Sequence, residues 1–197
     1  MTQPYPTKTG LFFGSFNPIH NGHLMIANYL VEYTDLEEIW FVISPHNPLK
    51  KKQGLAHELD RLEMVHLAIG DDLRFRASDI ELRLPRPSYT IHTLAHLTEK
   101  YPERRFVLLI GGDNLESFHK WKNPEAILDY YELYVYSRPG YSDGLFAGHP
   151  SIKMLDAPRM EISASLIRQA YAEGKNLDYF IPQKVNAYIL KKGIYVP

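Results

Sequence analysis

The sequence predicts an α/β fold in which a doubly wound parallel sheet is followed by a C-terminal helical segment. Short, continuous apolar runs have the pattern of strands that are covered on both faces, and helical patterns lie between them. Such alternation indicates parallel strands joined by right-handed crossovers. In open sheets of this kind, ligands bind beyond the carboxyl ends of the strands. The predicted strands cover residues 11–13, 39–43, 106–110 and 133–136.

Three apolar stripes predict the helices between these strands, because residues three or four positions apart share one helical face. Two more helices are predicted over 163–172 and 182–191, the first with Ser163 as its N-cap and Gly174 beyond its end. The stripes are Leu24, Ala27, Leu30 and Val31, then Leu62, Val65 and Ile69, then Ile91, Leu94 and Leu97.

A length of 197 residues favours one domain with one well-buried core. We expect a single domain over residues 1–197, with its sheet core over about 9–137 and its helical part over about 160–197. Two stretches, 44–56 and 138–150, are rich in Pro, Gly, Lys and Ser. They are either lids over a site or plain surface connections.

Composition and charge exclude several classes of function. The chain carries 22 Lys and Arg against 23 Asp and Glu, so no overall field attracts nucleic acid or an anionic membrane. Cysteine is absent, which excludes disulfides, thiolate metal sites and thiol nucleophiles. The apolar runs are far shorter than the roughly 20 residues of a membrane-spanning helix, and the opening segment lacks the apolar stretch of a secretory signal. We expect a cytoplasmic protein without nucleic acid or membrane partners.

The segment GSFNPIHNGH, residues 14–23, follows the first strand and carries two histidines, His20 and His23, directly before a helix. Unpaired backbone N–H groups and the positive end of the helix dipole favour phosphate at such a place. The alternative is that the histidines only cap the helix and pack against their neighbours. A metal site would need a third ligand, and none is visible nearby in the sequence. The chain contains neither G-x-G-x-x-G nor G-x-x-x-x-G-K-[ST], so a dehydrogenase or kinase lacks its usual motif.

This segment resembles the G-x-F-x-P-x-H-x-G-H signature of the nucleotidyltransferase superfamily, and ISASLIR at 162–168 resembles the I-S-x-T-x-I-R motif of its adenylyltransferases. Further segments fall in the order expected of bacterial nicotinate-nucleotide adenylyltransferases. The resemblance covers nearly the whole chain and implies a Rossmann-like fold. These segments are SPHNPLK at 44–50, RLEM at 61–64, PSYTIHTL at 87–94, GGDNLESFHKW at 111–121, SRPGY at 137–141 and IPQKVNAYILKKGIY at 181–195.

The resemblance implies a reaction in NAD biosynthesis. The 5'-phosphate of nicotinate mononucleotide attacks the α-phosphorus of ATP, which gives deamido-NAD and pyrophosphate. The attacking phosphate is already anionic, so the protein has to hold two anions in line and neutralise the charge that develops. Mg²⁺ is expected to be held mainly through ATP phosphates, with no protein metal site.

The same resemblance implies a role for each matching residue. His20, His23 and Arg168 are the expected catalytic residues, at the ATP phosphates. The expected ATP-binding residues are Gly14, Ser15, Phe16, Gly111, Asp113, Arg138, Ser163 and Ser165. The expected residues for nicotinate mononucleotide are Asn17, Lys50, Thr90, Trp121 and Lys122, although the run of Lys50, Lys51 and Lys52 leaves open which lysine meets phosphate.

Other interpretations stay open. Asp113 has the alternative of capping the next helix, and Trp121 that of a core aromatic residue. For the whole chain, the alternatives are an enzyme that prefers nicotinamide mononucleotide or another phosphorylated acceptor, and a nucleotide-binding module without catalysis. The sequence leaves the oligomeric state open, with a homo-oligomer as one alternative.

Overall fold

A computed structural model describes residues 6–45, 54–137, 145–146, 148–158 and 161–196. Six strands form one sheet in the order β3-β2-β1-β4-β5-β6, and each adjacent pair is parallel. The predicted parallel α/β fold is therefore confirmed. The strands are β1 (Thr7–Gly14), β2 (Glu38–Ile43), β3 (Phe75–Ser78), β4 (Arg104–Gly111), β5 (Glu132–Tyr136) and β6 (Ile152–Leu155).

Helices cover both faces of the sheet, because successive strand residues point to opposite sides. The helices are α1 (Asn21–Tyr33), α2 (Glu58–Ile69), α3 (Ile80–Arg83), α4 (Thr90–Lys100), α5 (Gly112–Glu116), α6 (Pro124–Tyr130), α7 (Ala164–Ala172) and α8 (Gln183–Lys192), with a 3₁₀ turn at Phe118–Lys120. On β2, Phe41 packs into a core shared with α1, α2, α7 and α8, whereas its neighbour Trp40 packs into a second core with α3, α4, α5 and α6.

The two C-terminal helices begin and end close to where the sequence predicts. Ser163 is the N-cap of α7, and its Oγ accepts a hydrogen bond from the backbone N–H of Leu166 at 3.2 Å. Gly174 follows the helix with a φ of +65°, a conformation that favours glycine. None of the helices in the described ranges has the length and apolar composition of a membrane span.

The sequence misses the two edge strands, β3 and β6. Each is four residues long and carries a charged, exposed residue, Arg76 or Lys153, so neither shows an apolar run. Charged side chains and short length are typical of sheet edges, where they limit pairing with other chains. The sheet therefore extends to Leu155, beyond the 9–137 range.

Strand order reverses beside β1. The chain moves from β1 outwards to β2 and β3, then returns to place β4 on the other side of β1. The loops that follow β1 and β4 consequently diverge to opposite faces and leave a crevice at the carboxyl ends of the strands. This is the place at which open α/β sheets bind ligands.

Candidate functional site

A cleft of about 510 Å³ opens at the carboxyl ends of β1 and β4. It brings together four parts of the chain that are far apart in sequence: the loop after β1, the segment that follows β3, the segment that follows β4, and the start of α7. The residues expected from the sequence that line it are Gly14, Ser15, Phe16, Asn17, His20, His23, Thr90, Asp113, Trp121, Lys122, Ser163, Ser165 and Arg168.

Gly111 is the expected site residue of the described ranges that does not line the cleft. It is buried at the end of β4, where it is the N-cap of α5. Lys50 and Arg138 lie outside the described residues, as do all of 46–53 and 138–144. Whether the stretches 44–56 and 138–150 are lids or surface connections therefore stays a prediction.

The two histidines stand at the N-terminus of α1. His20 is the N-cap residue, and its backbone N–H donates a hydrogen bond to Nδ1 of His23 at 3.3 Å. The two ring centroids lie 3.8 Å apart. Because Nδ1 of His23 accepts this hydrogen bond, the neutral ring carries its proton on Nε2. Capping and an active role are thus compatible in His23.

Close packing shapes the loop that carries the histidines. A Cβ on Gly14 would lie 2.8 Å from the ring of Phe16, so only glycine fits at that position. Phe16 has a φ of +43°, which a bulky residue rarely adopts. It is 2% exposed, and its ring packs edge-on against those of Phe12, His23 and Phe41. Burial of this ring stabilises the loop conformation against the backbone strain.

Asn17 connects the loop to two other parts of the cleft. Its Oδ1 accepts hydrogen bonds from the backbone N–H of Ala56 at 2.9 Å and from the Tyr195 hydroxyl at 2.5 Å. Its Nδ2 donates to the carbonyl of Gly54 at 2.8 Å, and its own carbonyl accepts from Nη1 of Arg168 at 2.8 Å. Asn17 is 5% exposed, and these hydrogen bonds use one of the two N–H groups of its amide.

Arg168 lies on the first two turns of α7, beside the helix N-terminus. Its Nη2 donates to Oγ of Ser165 at 3.2 Å, one turn earlier on the helix. A guanidinium, hydroxyl groups and the helix N-terminus thus share one wall with the Asn17 loop. These groups are the ones that bind phosphate in proteins.

Arg61 on α2 is an arginine to which the sequence assigns no role. It is fully buried, and its guanidinium donates to the carbonyl of Ser15 at 2.6 Å, to that of Ser44 at 2.8 Å, and to those of Pro45 and Ala56 at 3.1 Å each. Burial lowers the pKa of Arg61. The sequence does hold a signal for the burial of Arg61. It lies three and four positions before Met64 and Val65, and therefore on the same buried face of α2.

The opposite wall of the cleft is aromatic and includes the N-terminus of α4. Lys122 holds its Nζ over the ring of Tyr89, 4.5 Å from the centroid. Trp121 is half-buried, packs against Phe118 and also lines the cleft. Trp121 thus packs against the core as an aromatic residue, and its binding of the mononucleotide stays a prediction. An aromatic face beside a helix N-terminus suits a flat ring that bears a carboxylate.

Two carboxyl groups line the cleft within the described ranges, those of Asp113 and Glu81. Asp113 lies in the first turn of α5, and Gly111 rather than Asp113 occupies the N-cap. Glu81 is 3% exposed and accepts a hydrogen bond from the hydroxyl of Thr93 at 2.9 Å. Burial raises the pKa of Glu81, and hydrogen bonds from Ser44 and Thr93 offset only part of this shift.

Comparisons with known proteins agree on one family. The profile of the cytidylyltransferase-like family matches residues 11–170. A relative from Cytophaga hutchinsonii is 51% identical over 188 residues, which cover 95% of this chain and 98% of the relative. A relative from Flavobacterium johnsoniae is 50% identical over 192 residues, which cover 95% and 98%. Both carry the name probable nicotinate-nucleotide adenylyltransferase.

Solved structures match the fold over nearly the whole chain. The Plasmodium falciparum nicotinic acid mononucleotide adenylyltransferase complexed with NaAD has a TM-score of 0.80 at 19% identity, and the match covers 96% of this chain and 97% of that one. A Vibrio parahaemolyticus protein described as a nicotinate-nucleotide adenylyltransferase has a TM-score of 0.72 at 21% identity, covering 96% and 95%. At these identities the likeness concerns the fold.

Proposed function

Since the chain belongs to the family of nicotinate-nucleotide adenylyltransferases, we propose that the cleft beyond β1 and β4 is where it transfers the adenylyl group of ATP to nicotinate mononucleotide. The products are deamido-NAD and pyrophosphate. The observation that carries this placement is the convergence of His20, His23 and Arg168 on one cleft, across about three-quarters of the sequence. Two imidazoles, a guanidinium and two helix N-termini there suit a triphosphate.

The reaction forms one bond and breaks another at the α-phosphorus. A 5'-phosphate oxygen of the acceptor bonds to the α-phosphorus, and the bond to the bridging oxygen of the β-phosphate breaks. The electron pair leaves with pyrophosphate. No protein nucleophile is needed, because the acceptor phosphate is ionised at neutral pH.

The first loop is proposed to stabilise the charge that develops at the α-phosphate. Nε2–H of His23 is the donor whose direction the His20 backbone fixes, and the positive end of α1 acts beside it. Arg168 and the hydroxyls of Ser163 and Ser165 are proposed to bind the departing pyrophosphate. Asp113, with Gly14, Ser15 and Phe16, is proposed to hold the rest of ATP, and Gly111 to set the start of α5, which carries Asp113.

The aromatic wall is proposed to bind the acceptor. The ring of Trp121 offers a stacking face for the pyridine, and Thr90 with the N-terminus of α4 offers donors for its carboxylate. Lys122 and the remaining amide N–H of Asn17 are proposed to help hold the mononucleotide. Lys50 and Arg138 stay predicted phosphate ligands.

A divalent metal is expected of nucleotidyltransferases, and we propose Mg²⁺ carried by the ATP phosphates. The described residues contain no group of three or more His, Asp or Glu side chains that could hold an ion by themselves. The donors of the cleft fit this arrangement, since most of them bind phosphate rather than metal. When bound, the ion supplies neutralisation of phosphate charge. A cytoplasmic location stays a prediction that cell fractionation tests.

Pyrophosphate release from Mg-ATP, measured with nicotinate mononucleotide, nicotinamide mononucleotide and phosphopantetheine in parallel, tests the function. We expect at least tenfold preference for the nicotinate form, about 1.4 kcal/mol in the transition state. Thr90→Val should reduce this preference, whereas Thr98→Val, on the same helix outside the cleft, should not. Comparable rates with nicotinamide mononucleotide would overturn the preference. ATP binding without turnover of any acceptor would favour a nucleotide-binding module.

A further inference from the structure

The side chain of Tyr195 contacts Asn17, one of the residues that line the cleft. The hydroxyl of Tyr195 donates to Oδ1 of Asn17 at 2.5 Å, across 178 positions of sequence. Burial raises the pKa of Tyr195 strongly, so the hydroxyl stays protonated and keeps donating at neutral pH. The Tyr195 ring also faces that of Tyr171 on α7, with centroids 6.3 Å apart.

Tyr195 adopts a backbone conformation that has a cost. Its φ is +64°, in the left-handed region that bulky residues rarely adopt and that strains the backbone. The residue is partly buried, and its side chain points inward to Asn17 rather than to solvent. Because this tyrosine keeps a strained backbone and its hydroxyl bonds to a site residue, we expect it to act on the site and not only to pack against the core.

Asn17 is the part of the loop on which several elements depend. Its side chain fixes Gly54 and Ala56, where the chain emerges from the 46–53 stretch, and its carbonyl fixes the guanidinium of Arg168. Both lone pairs of Oδ1 are used, one by Ala56 and one by Tyr195. Loss of the Tyr195 donor would leave the amide free to tilt, and would shift the loop against Arg168.

We propose that Tyr195 is a positioning residue for adenylyl transfer, which acts by holding the Asn17 amide and thereby the alignment of the His20–His23 loop with Arg168. This inference rests on the proposed function. Misalignment affects the reacting geometry more than binding, because the phosphate ligands themselves remain. A displacement of about 1 Å is enough to slow a reaction by up to two orders of magnitude.

The chain offers a matched pair of variants for the test. Tyr195→Phe removes one partly buried hydroxyl from the C-terminal segment. Tyr188→Phe removes another, since the Tyr188 hydroxyl donates to Oδ1 of Asp60 at 2.7 Å, outside the cleft. Steady-state pyrophosphate release should show kcat lowered about tenfold in Tyr195→Phe, with KM for ATP and acceptor changed less than about threefold. Tyr188→Phe should keep the kcat of wild type, with a similar small shift in Tm.

A double-mutant cycle tests whether Tyr195 acts through Asn17. In an Asn17→Ala background, adding Tyr195→Phe should change kcat by less than about twofold. A full tenfold loss in that background, or equal kcat for Tyr195→Phe and Tyr188→Phe, would overturn the inference alone. Absence of turnover in wild type would overturn the proposed function, and this inference with it.

Discussion

The backbone N–H of His20 and Nδ1 of His23 form a hydrogen bond of 3.3 Å across the first turn of α1. This contact sets the ring of His23 in one tautomer before any substrate arrives. A donor that is already oriented needs little reorganisation when charge develops on a phosphate. Such preorganised donors are usually the largest source of electrostatic stabilisation in catalysis.

His23→Ala should therefore lower kcat by a factor on the order of 100 or more, with the fold retained. The helix keeps its other backbone hydrogen bonds, so circular dichroism and Tm should stay close to wild type. His66→Ala, at an exposed position on α2, is the control and should leave kcat unchanged. A fully active His23→Ala variant would remove His23 from the chemistry.

Arg61→Met should lower the free energy of unfolding by about 3 kcal/mol or more, because it leaves carbonyls of Ser15 and Ser44 buried without a donor. Urea denaturation measures this loss. Arg74→Met, which removes a surface guanidinium paired with Asp72 and Glu32, should cost much less. Equal losses of unfolding free energy in the two variants would show that the buried hydrogen bonds of Arg61 stabilise the fold no more than the surface ion pairs of Arg74.

Asp35 should make stability depend on pH below about 4. Burial would raise its pKa, but hydrogen bonds from Lys8 and Tyr134 outweigh burial and lower the pKa to about 2. The carboxylate therefore stabilises the fold fully above its unfolded pKa of 3.8, and this contribution is lost as pH falls towards 2.

Asp35→Asn should then cost about 1 kcal/mol at pH 7, a value reduced by solvent screening of this exposed side chain. The difference from wild type should shrink to near zero by pH 2. Urea denaturation at several pH values gives the curve. Asp129→Asn, an exposed change on α6, should give no such dependence. If the stability difference between wild type and Asp35→Asn persists at pH 2, it does not arise from the ionised carboxylate of Asp35.

Glu81→Gln should fold at least as stably as wild type at pH 7. Burial raises the pKa of Glu81, so the folded protein increasingly resists its ionisation as pH rises above the ordinary value of 4.5. The advantage of Gln should grow across that window, up to the folded pKa. Glu81→Ala should instead cost about 1–3 kcal/mol, since the buried Thr93 hydroxyl loses its shorter hydrogen bond and keeps only the 3.5 Å one to the Tyr89 carbonyl. A Glu81→Gln variant whose stability relative to wild type falls as pH rises would contradict this prediction.

Much of the fold follows from local pattern. The buried strands β1, β2, β4 and β5 carry apolar runs, and α7 carries a serine cap, so the sequence predicts each of them. The edge strands lack such runs because half of their surface faces water. Their pairing depends on neighbours that are distant in sequence, which spacing does not encode.

The candidate site, like the fold, can be predicted from the sequence only in part. His20, His23 and Arg168 stand in motifs of contiguous residues, and the fold brings these motifs together. Arg61 and Tyr195 also stand in segments that carry the resemblance, but their contacts depend on tertiary structure and cannot be predicted from those segments. A buried arginine bonded to four carbonyls, and a tyrosine that meets residue 17 from position 195, become visible only once the chain is folded.

The span between Asn17 and Tyr195 also bears on protein synthesis. During translation the histidine loop leaves the ribosome first, and the Tyr195 hydroxyl that bonds to Asn17 follows 178 positions later. Domains fold as units during translation, and long-range contacts close last. Nascent chains stalled before position 195 should thus possess both imidazoles and still turn over slowly. Full turnover would require the emergence of residue 195.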